Sequence, residues 1–344
     1  MSSGAGAIAV TMGEPAGIGG ELTLSAWQNR ADQNLPPFFA IDSLDRLARI
    51  AERLNWDVPL TEIDAPEAAT GCFGDSLPVL PLDVPGSMTP GQPDPANASS
   101  VVASIRKAAE YAMTGSATAV LTNPIHKKTL YDAGFQHPGH TEFFAEIAGI
   151  DRSVMMLLCP GLRVVPITSH ISLAQAIQAL KTDDIVAASL ITVQALRRDF
   201  GIETPHIMMA ALNPHGGEDG SMGREELDII VPAIDALKQQ GVSVSGPAPA
   251  DSMFHERARE GYDAAICMYH DQALIPLKTI DFHSGVNVTL GLPFVRTSPD
   301  HGTALEIAGM GVADDRSFVA SLSVAADIVR QRGRYRTRDS KALA

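Results

Sequence analysis

A chain of 344 residues is longer than a single hydrophobic core usually grows, so two domains or two lobes around a cleft are expected. Its 45% hydrophobic and 19% charged residues suit an α/β protein with an ample core. The formal charge of −14 argues against a nucleic-acid partner, because neutralising backbone phosphates needs a basic face, yet it leaves room for a local cationic pocket that holds a small anion.

The N-terminus has no basic stretch and no long apolar segment, so neither a signal peptide nor a membrane span is expected and the cytoplasm is the default compartment. The chain then reads as strand, turn and helix (AIAVTM, GEPAGIGG, ELTLSAWQNR), the first βα unit of a parallel sheet. Glycines at 13, 17, 19 and 20, with Pro15 among them, do not match the spacing of a dinucleotide fingerprint. That turn could still approach a ligand through its backbone, or it could serve packing alone. From about Leu80 to Ala98, proline, glycine and small polar residues predict a long surface loop. A helix follows over SSVVASIRKAAEYAMTG and a strand over 117–122. Further strands are predicted at 154–158, 163–168, 206–212, 264–269 and 287–291, and a helix over DDIVAASLITVQALRRDFG that stops at Gly201. This alternation gives an α/β class with a mainly parallel sheet. The closing RQRGRYRTRDSKALA is basic and polar and is predicted to fray. Cys72, Cys159 and Cys267 show no CxxC spacing and read as small residues in a reducing compartment.

All ten histidines fall between His126 and His301. Three of them, His170, His215 and His270, each follow a predicted strand, and in open α/β sheets ligands gather at the carboxyl ends of strands. Three neutral imidazoles with an open position suit a catalytic divalent ion, with Glu218 and Asp271 placed to orient the rings. Any one of them could instead cap a strand end. His140, in HPGHTEFF, stands where a helix begins; free N–H groups there suit an anion, or a simple cap. The run from Met268 to Gly309 adds Lys278, Asn287, Arg296 and the turn His301-Gly302-Thr303 to His270, the composition of an active site.

Together, TMGEPAGIG, TNPIHKKTLYDAGFQHPGHTEFFAE, LNPHGGEDGSMGREE, GPAPADSMF, CMYHDQALIPLKT and GVNVTLGLPFVRTSPDHGTALEIAG resemble the 4-hydroxythreonine-4-phosphate dehydrogenases of vitamin B6 biosynthesis. The segments keep that family's order from residue 11 to 309. The resemblance implies an isocitrate/isopropylmalate-dehydrogenase-like, two-lobed α/β/α fold with a mainly parallel sheet and a cleft between the lobes. It implies a cofactor-binding lobe of 1–125 plus 288–344 and a metal- and substrate-binding, dimerising lobe of 126–287. It further implies a homodimer with active sites at the subunit interface, NAD as oxidant, and one divalent metal (zinc, magnesium, manganese or cobalt) on His170, His215 and His270. Substrate contacts carry over to His140, Thr141, Lys278, Asn287 and Arg296, and Asp251 matches an acidic position that reaches the neighbouring subunit's site. Lys278 is the first choice for proton acceptor and Asp251 the second. HGTALEIAG is similar to an adenosine-binding loop, which implicates His301, Gly302, Thr303, Glu306 and Ile307; a carboxylate at Glu306 favours NAD over NADP by repelling a 2′-phosphate.

The implied reaction oxidises the C3 hydroxyl of 4-phosphooxy-L-threonine to a β-keto acid that decarboxylates to 3-amino-2-oxopropyl phosphate. The chain departs from the family pattern at MGEPAG for MGDPAG, at LNPHGGE and at IDFHSGVN. These leave open a 4-phosphothreonate or erythronate-type sugar acid as the substrate. A phosphate acyltransferase on the same fold, or a metal hydrolase, would be told apart by turnover that is indifferent to NAD.

Overall fold

The computed structural model describes residues 6–137 and 139–342, without the side chains of 339–342. Its strands are β1 (Ile8–Thr11), β2 (Phe38–Asp42), β3 (Leu60–Glu62), β4 (Leu77–Pro81), β5 (Ala119–Leu121), β6 (Val154–Cys159), β7 (Leu162–Pro166), β8 (His206–Ala210), β9 (Ser243–Ala248), β10 (Ala264–Cys267), β11 (Val286–Leu290) and β12 (Arg296–Pro299). The chain divides into two compact units, Met1–Arg152 with Leu292–Arg334, and Ser153–Gly291 with Tyr335–Ala344. No helix among the described residues is long and apolar enough to cross a membrane.

In the first unit the strand order is β3-β4-β2-β1-β5-β12, parallel throughout. β1, β2 and β5 are buried at every position, so they read as continuous apolar runs rather than alternating ones. The helix Ala98–Thr114 lays Ala98, Val101, Ile105, Ala108 and Ala109 into one core with Ala9, Phe39 and Val120, and it stops at Gly115 in the left-handed region. β2, β3, β4 and β12 fall outside the predicted strands. β3 is only three residues long, and LPVLP and RTSP carry prolines that mask a strand pattern.

In the glycine-rich first turn, Gly13 serves packing. Gly13 has φ +69°, and a Cβ there would stand 2.6 Å from Asn123 Cβ and 2.8 Å from the Pro124 carbonyl. Asn123 in turn donates from Nδ2 to Thr11 O at 2.9 Å and to Thr23 Oγ1 at 3.0 Å, tying the end of β1 to the first helix.

In the second unit the order is β11-β6-β7-β10-β8-β9; the first two pairings are antiparallel and the rest parallel. The helix Thr182–Phe200 ends at Gly201, φ 70°, where the sequence predicts its stop. A helix runs from Arg316 to Ala342 and takes in most of the basic tail, while Leu343 and Ala344, at the end where the tail is predicted to fray, lie outside the described residues. Its buried positions Phe318, Leu322, Ala325, Ile328 and Arg332 recur at helical spacing, and Arg332 Nη1 donates to the Pro293 carbonyl at 3.2 Å. Arg332 is the buried arginine of the described tail residues: its stem covers apolar surface while its head finds oxygen.

Candidate active site

Arg296 opens β12, paired in register with Val120 of β5, and only 3% of it is exposed. Its Nη2 donates to Thr122 Oγ1 at 2.6 Å, and its guanidinium carbon stands 5.8 Å from the centre of the Phe144 ring. The same Phe144, fully enclosed, is stacked at 6.1 Å and 16° by the His140 ring and met edge-on by Phe294 at 5.7 Å. One phenyl ring therefore spaces a cation and an imidazole in an apolar corner. Burial pulls the Arg296 guanidinium down to about 9 against the pull of the Glu142 carboxylate, so it remains a cation at neutral pH. Burial first, then the charges of Arg296 and Lys127, hold His140 well below the usual imidazole value, which makes it neutral. Its Nε2 is enclosed and has no hydrogen-bond partner among the described residues. His140 and Thr141 begin the helix His140–Ala148 after Gly139, where main-chain N–H groups also lack helical acceptors. Buried charge, neutral imidazole and helix start together can hold a phosphate or carboxylate.

The loop after β12 is braced by the first turn and helix. Thr303 O accepts from the Ile18 amide at 3.2 Å. At the other end Glu21, 2% exposed, accepts the amide of Gly309 on Oε1 and that of Gly311 on Oε2, the second at 3.0 Å. Between these ties Ala304 takes φ 44°, and Glu306 stands exposed on the short turn Leu305–Ile307. His301, Gly302 and Thr303 lie in the same loop, with His301 Nδ1 3.0 Å from the Gly302 carbonyl oxygen. Sequence reasoning missed Glu21, Thr122 and Phe144. A lone carboxylate in an apolar first helical turn was the available signal for Glu21.

The remaining site residues lie in the second unit. His170 follows β7 with φ 57°, His215 follows β8 with φ 53°, and His270 is the first residue of the helix His270–Ile280 after β10. The rings of His170 and His270 have centroids 6.0 Å apart, and His270 Nδ1 sits 2.8 Å from Asp271 Oδ1. A carboxylate on one ring nitrogen leaves the other for a metal, so this pair has the chemistry of a divalent-cation site. His215 is exposed, and among the described residues no three His, Cys, Asp or Glu groups are gathered as ligands. Two of the predicted trio are thus near one another and the third stands apart. Lys278 lies about two turns further along the helix that starts at His270, 5.1 Å from the Phe282 ring. Asn287 stands on β11 opposite Leu157, and its enclosed Oδ1 has no hydrogen-bond partner among the described residues. Asp251 is exposed on the turn Ala250–Met253 and borders a cavity of about 400 Å³ walled by Phe254, Tyr269, Ile275 and Pro276.

The family model of pyridoxal phosphate biosynthetic protein PdxA matches residues 35–325. A 4-hydroxythreonine-4-phosphate dehydrogenase of Bradyrhizobium diazoefficiens is 48% identical over 330 residues, covering 92% of this chain and 95% of that one. One from Caulobacter vibrioides is 46% identical over 332 residues, covering 95% and 98%. Among solved structures, the 4-hydroxythreonine-4-phosphate dehydrogenase of Klebsiella pneumoniae superimposes with a TM-score of 0.84 at 37% identity, over 94% of this chain and 99% of that one.

Proposed function

This chain belongs to the PdxA family of pyridoxal phosphate biosynthetic proteins, and from that premise we propose that it oxidises 4-phosphooxy-L-threonine with NAD in the cytoplasm. C3 gives up its hydrogen as hydride to the nicotinamide and the hydroxyl on C3 gives its proton to a base; the β-keto acid then releases carbon dioxide and takes up a proton at C2 to leave 3-amino-2-oxopropyl phosphate. The observation that carries this reading is the enclosed Arg296 beside a neutral His140, a preformed seat for one anionic end of such a substrate. Placing the cation in an apolar corner strengthens its pull on a bound oxyanion, because few waters compete there. Thr141, Lys278 and Asn287 complete the contacts, with Lys278 as the proton acceptor and Asp251 as the alternative. A loop tied down at Thr303, Gly309 and Gly311 offers Glu306 to the ribose hydroxyls of NAD, alongside His301, Gly302 and Ile307.

His170 and His270 would hold a divalent metal, with His215 as the third ligand; such an ion, when bound, makes a coordinated hydroxyl more acidic. The exposed Ile275 and Ile280, which line the apolar cavity that Asp251 borders, with exposed Phe282 two residues beyond Ile280, support a second copy of the chain docking on this face. Ile275→Asp should convert the dimer to a monomer in light scattering; an unchanged mass would place the contact elsewhere. The reaction is tested by following NAD reduction with phosphorylated four-carbon hydroxy acids, with and without an amino group. Turnover of the amino acid alone is expected, and preference for the sugar acid would reassign the substrate.

A further inference from the structure

Within the first unit, a cavity of about 340 Å³ opens beside Pro15 and Gly17 of the first turn, the 86–90 loop and Gly309. None of the residues assigned above to substrate, metal or cofactor lines it. Arg46, Arg49 and Arg53 reach it from one face of the helix Leu44–Leu54. Arg46 is 1% exposed; Nε donates to Pro15 O at 3.1 Å and Nη1 to Asp42 Oδ2 at 2.5 Å, while Nη2 is enclosed and has no hydrogen-bond partner among the described residues. A buried guanidinium in the wall gives the cavity a positive potential, which favours an anionic occupant.

The other charges decide which occupant. Asp42 is committed to Arg46, and exposed Arg49 to Asp45 at 2.9 Å. Glu21, the carboxylate among the lining residues, has both oxygens on the amides of Gly309 and Gly311. Arg53 is exposed and forms no ion pair among the described residues. The hydroxyls of Ser87 and Thr89 bond to each other at 2.9 Å and keep further hydrogen-bonding capacity. Donors therefore exceed available acceptors, and Ile50, Met88 and Pro90 supply apolar wall for a carbon skeleton.

We propose that this cavity is a binding site for the phosphate or diphosphate group of a small molecule, with buried Arg46 and exposed Arg53 as its cations and Ser87 and Thr89 as further donors. Several acceptor oxygens on one centre match two guanidinium groups and two hydroxyls better than a single carboxylate would. The group could belong to a dinucleotide or to a separate phosphorylated metabolite.

Inorganic pyrophosphate titrated into the full chain, with amide hydrogen exchange as the readout, tests this. Slower exchange is expected in peptides covering 46–53 and 86–91. The apparent affinity should fall at least about tenfold in Arg53→Gln and several-fold in Thr89→Val, with thermal unfolding unaltered. No binding, protection confined to peptides around His140 and Arg296, or undiminished affinity in both variants would overturn the proposal. Saturating NAD adds the second arm: displacement of pyrophosphate from these peptides assigns the group to the dinucleotide, and simultaneous binding assigns it to a separate metabolite.

Discussion

Arg296 and His140 stand on regular elements, a strand and the first turn of a helix, and are locked around Phe144 within an apolar core. His170 and His215 instead stand on turns in left-handed backbone, a conformation that non-glycine side chains rarely adopt, and both face solvent. The first region is finished by folding alone, since packing fixes its polar groups and sets their ionisation. The second has the right donors on elements that packing does not immobilise. A charge seat can therefore be built by the core, whereas imidazoles on turns take their final arrangement from what they bind.

The widest separation between the two regions is expected on chelation. Complete removal of divalent cations should bring NAD reduction to background and leave the Arg296 corner folded, with activity returning on adding back a divalent ion. Undiminished turnover after chelation would break the comparison, because the histidines would then not be ligands. Next in size is Arg296→Gln, expected to lower kcat/KM by about 10³-fold, the scale of losing a buried charge-assisted contact. Arg296→Lys should recover only part of it, since an ammonium cannot reach both Thr122 and an oxyanion with the same fork. Glu21→Gln turns one acceptor into a donor facing a glycine amide; the KM for NAD should rise by roughly tenfold, the scale of one hydrogen bond, with kcat nearly unchanged. An unaltered KM would show that the loop holds its place without the clamp.

The smallest effect concerns pH. His140 binds its proton less readily folded than unfolded, so below the ordinary imidazole value of 6.5 the unfolded chain gains protons that the folded chain refuses. Stability contributed by this group is present above 6.5 and declines as pH falls toward the folded value, with a slope of at most about 1.4 kcal/mol per pH unit. Unfolding midpoints of His140→Phe should fall less steeply than wild type between pH 6.5 and 5, and parallel curves would remove the desolvated imidazole from the account.

Strands such as ATAVLT, RVVPIT and AAICMY were legible because short, mainly apolar runs end in turn residues, and the α/β class with a mainly parallel sheet followed from their alternation with helices. β12 was not: its four residues RTSP carry no apolar run, and it is a strand because Val120 and Leu121 offer it a parallel edge. Arg296 could be named from its motif, but its burial depends on Thr122 and Phe144, more than 150 residues earlier. Likewise the sequence places each of His170, His215 and His270 after a strand. Whether the rings meet depends on the dihedral angles of the intervening turns, which spacing does not encode.

The first unit is interrupted in sequence, and this sets an order on synthesis. As the chain leaves the ribosome, the outer edge of β5 has no neighbour until β12 emerges, some 170 residues later, and Glu21 has nothing to grip until Gly309 and Gly311 follow. The stretch 153–291 of the second unit is complete before then, so it can fold while the first unit is still an open sheet with an exposed edge. A fragment ending at residue 291 should therefore yield a protease-resistant core from the middle of the polypeptide, and the beginning should acquire resistance only once residues 292–334 have been made.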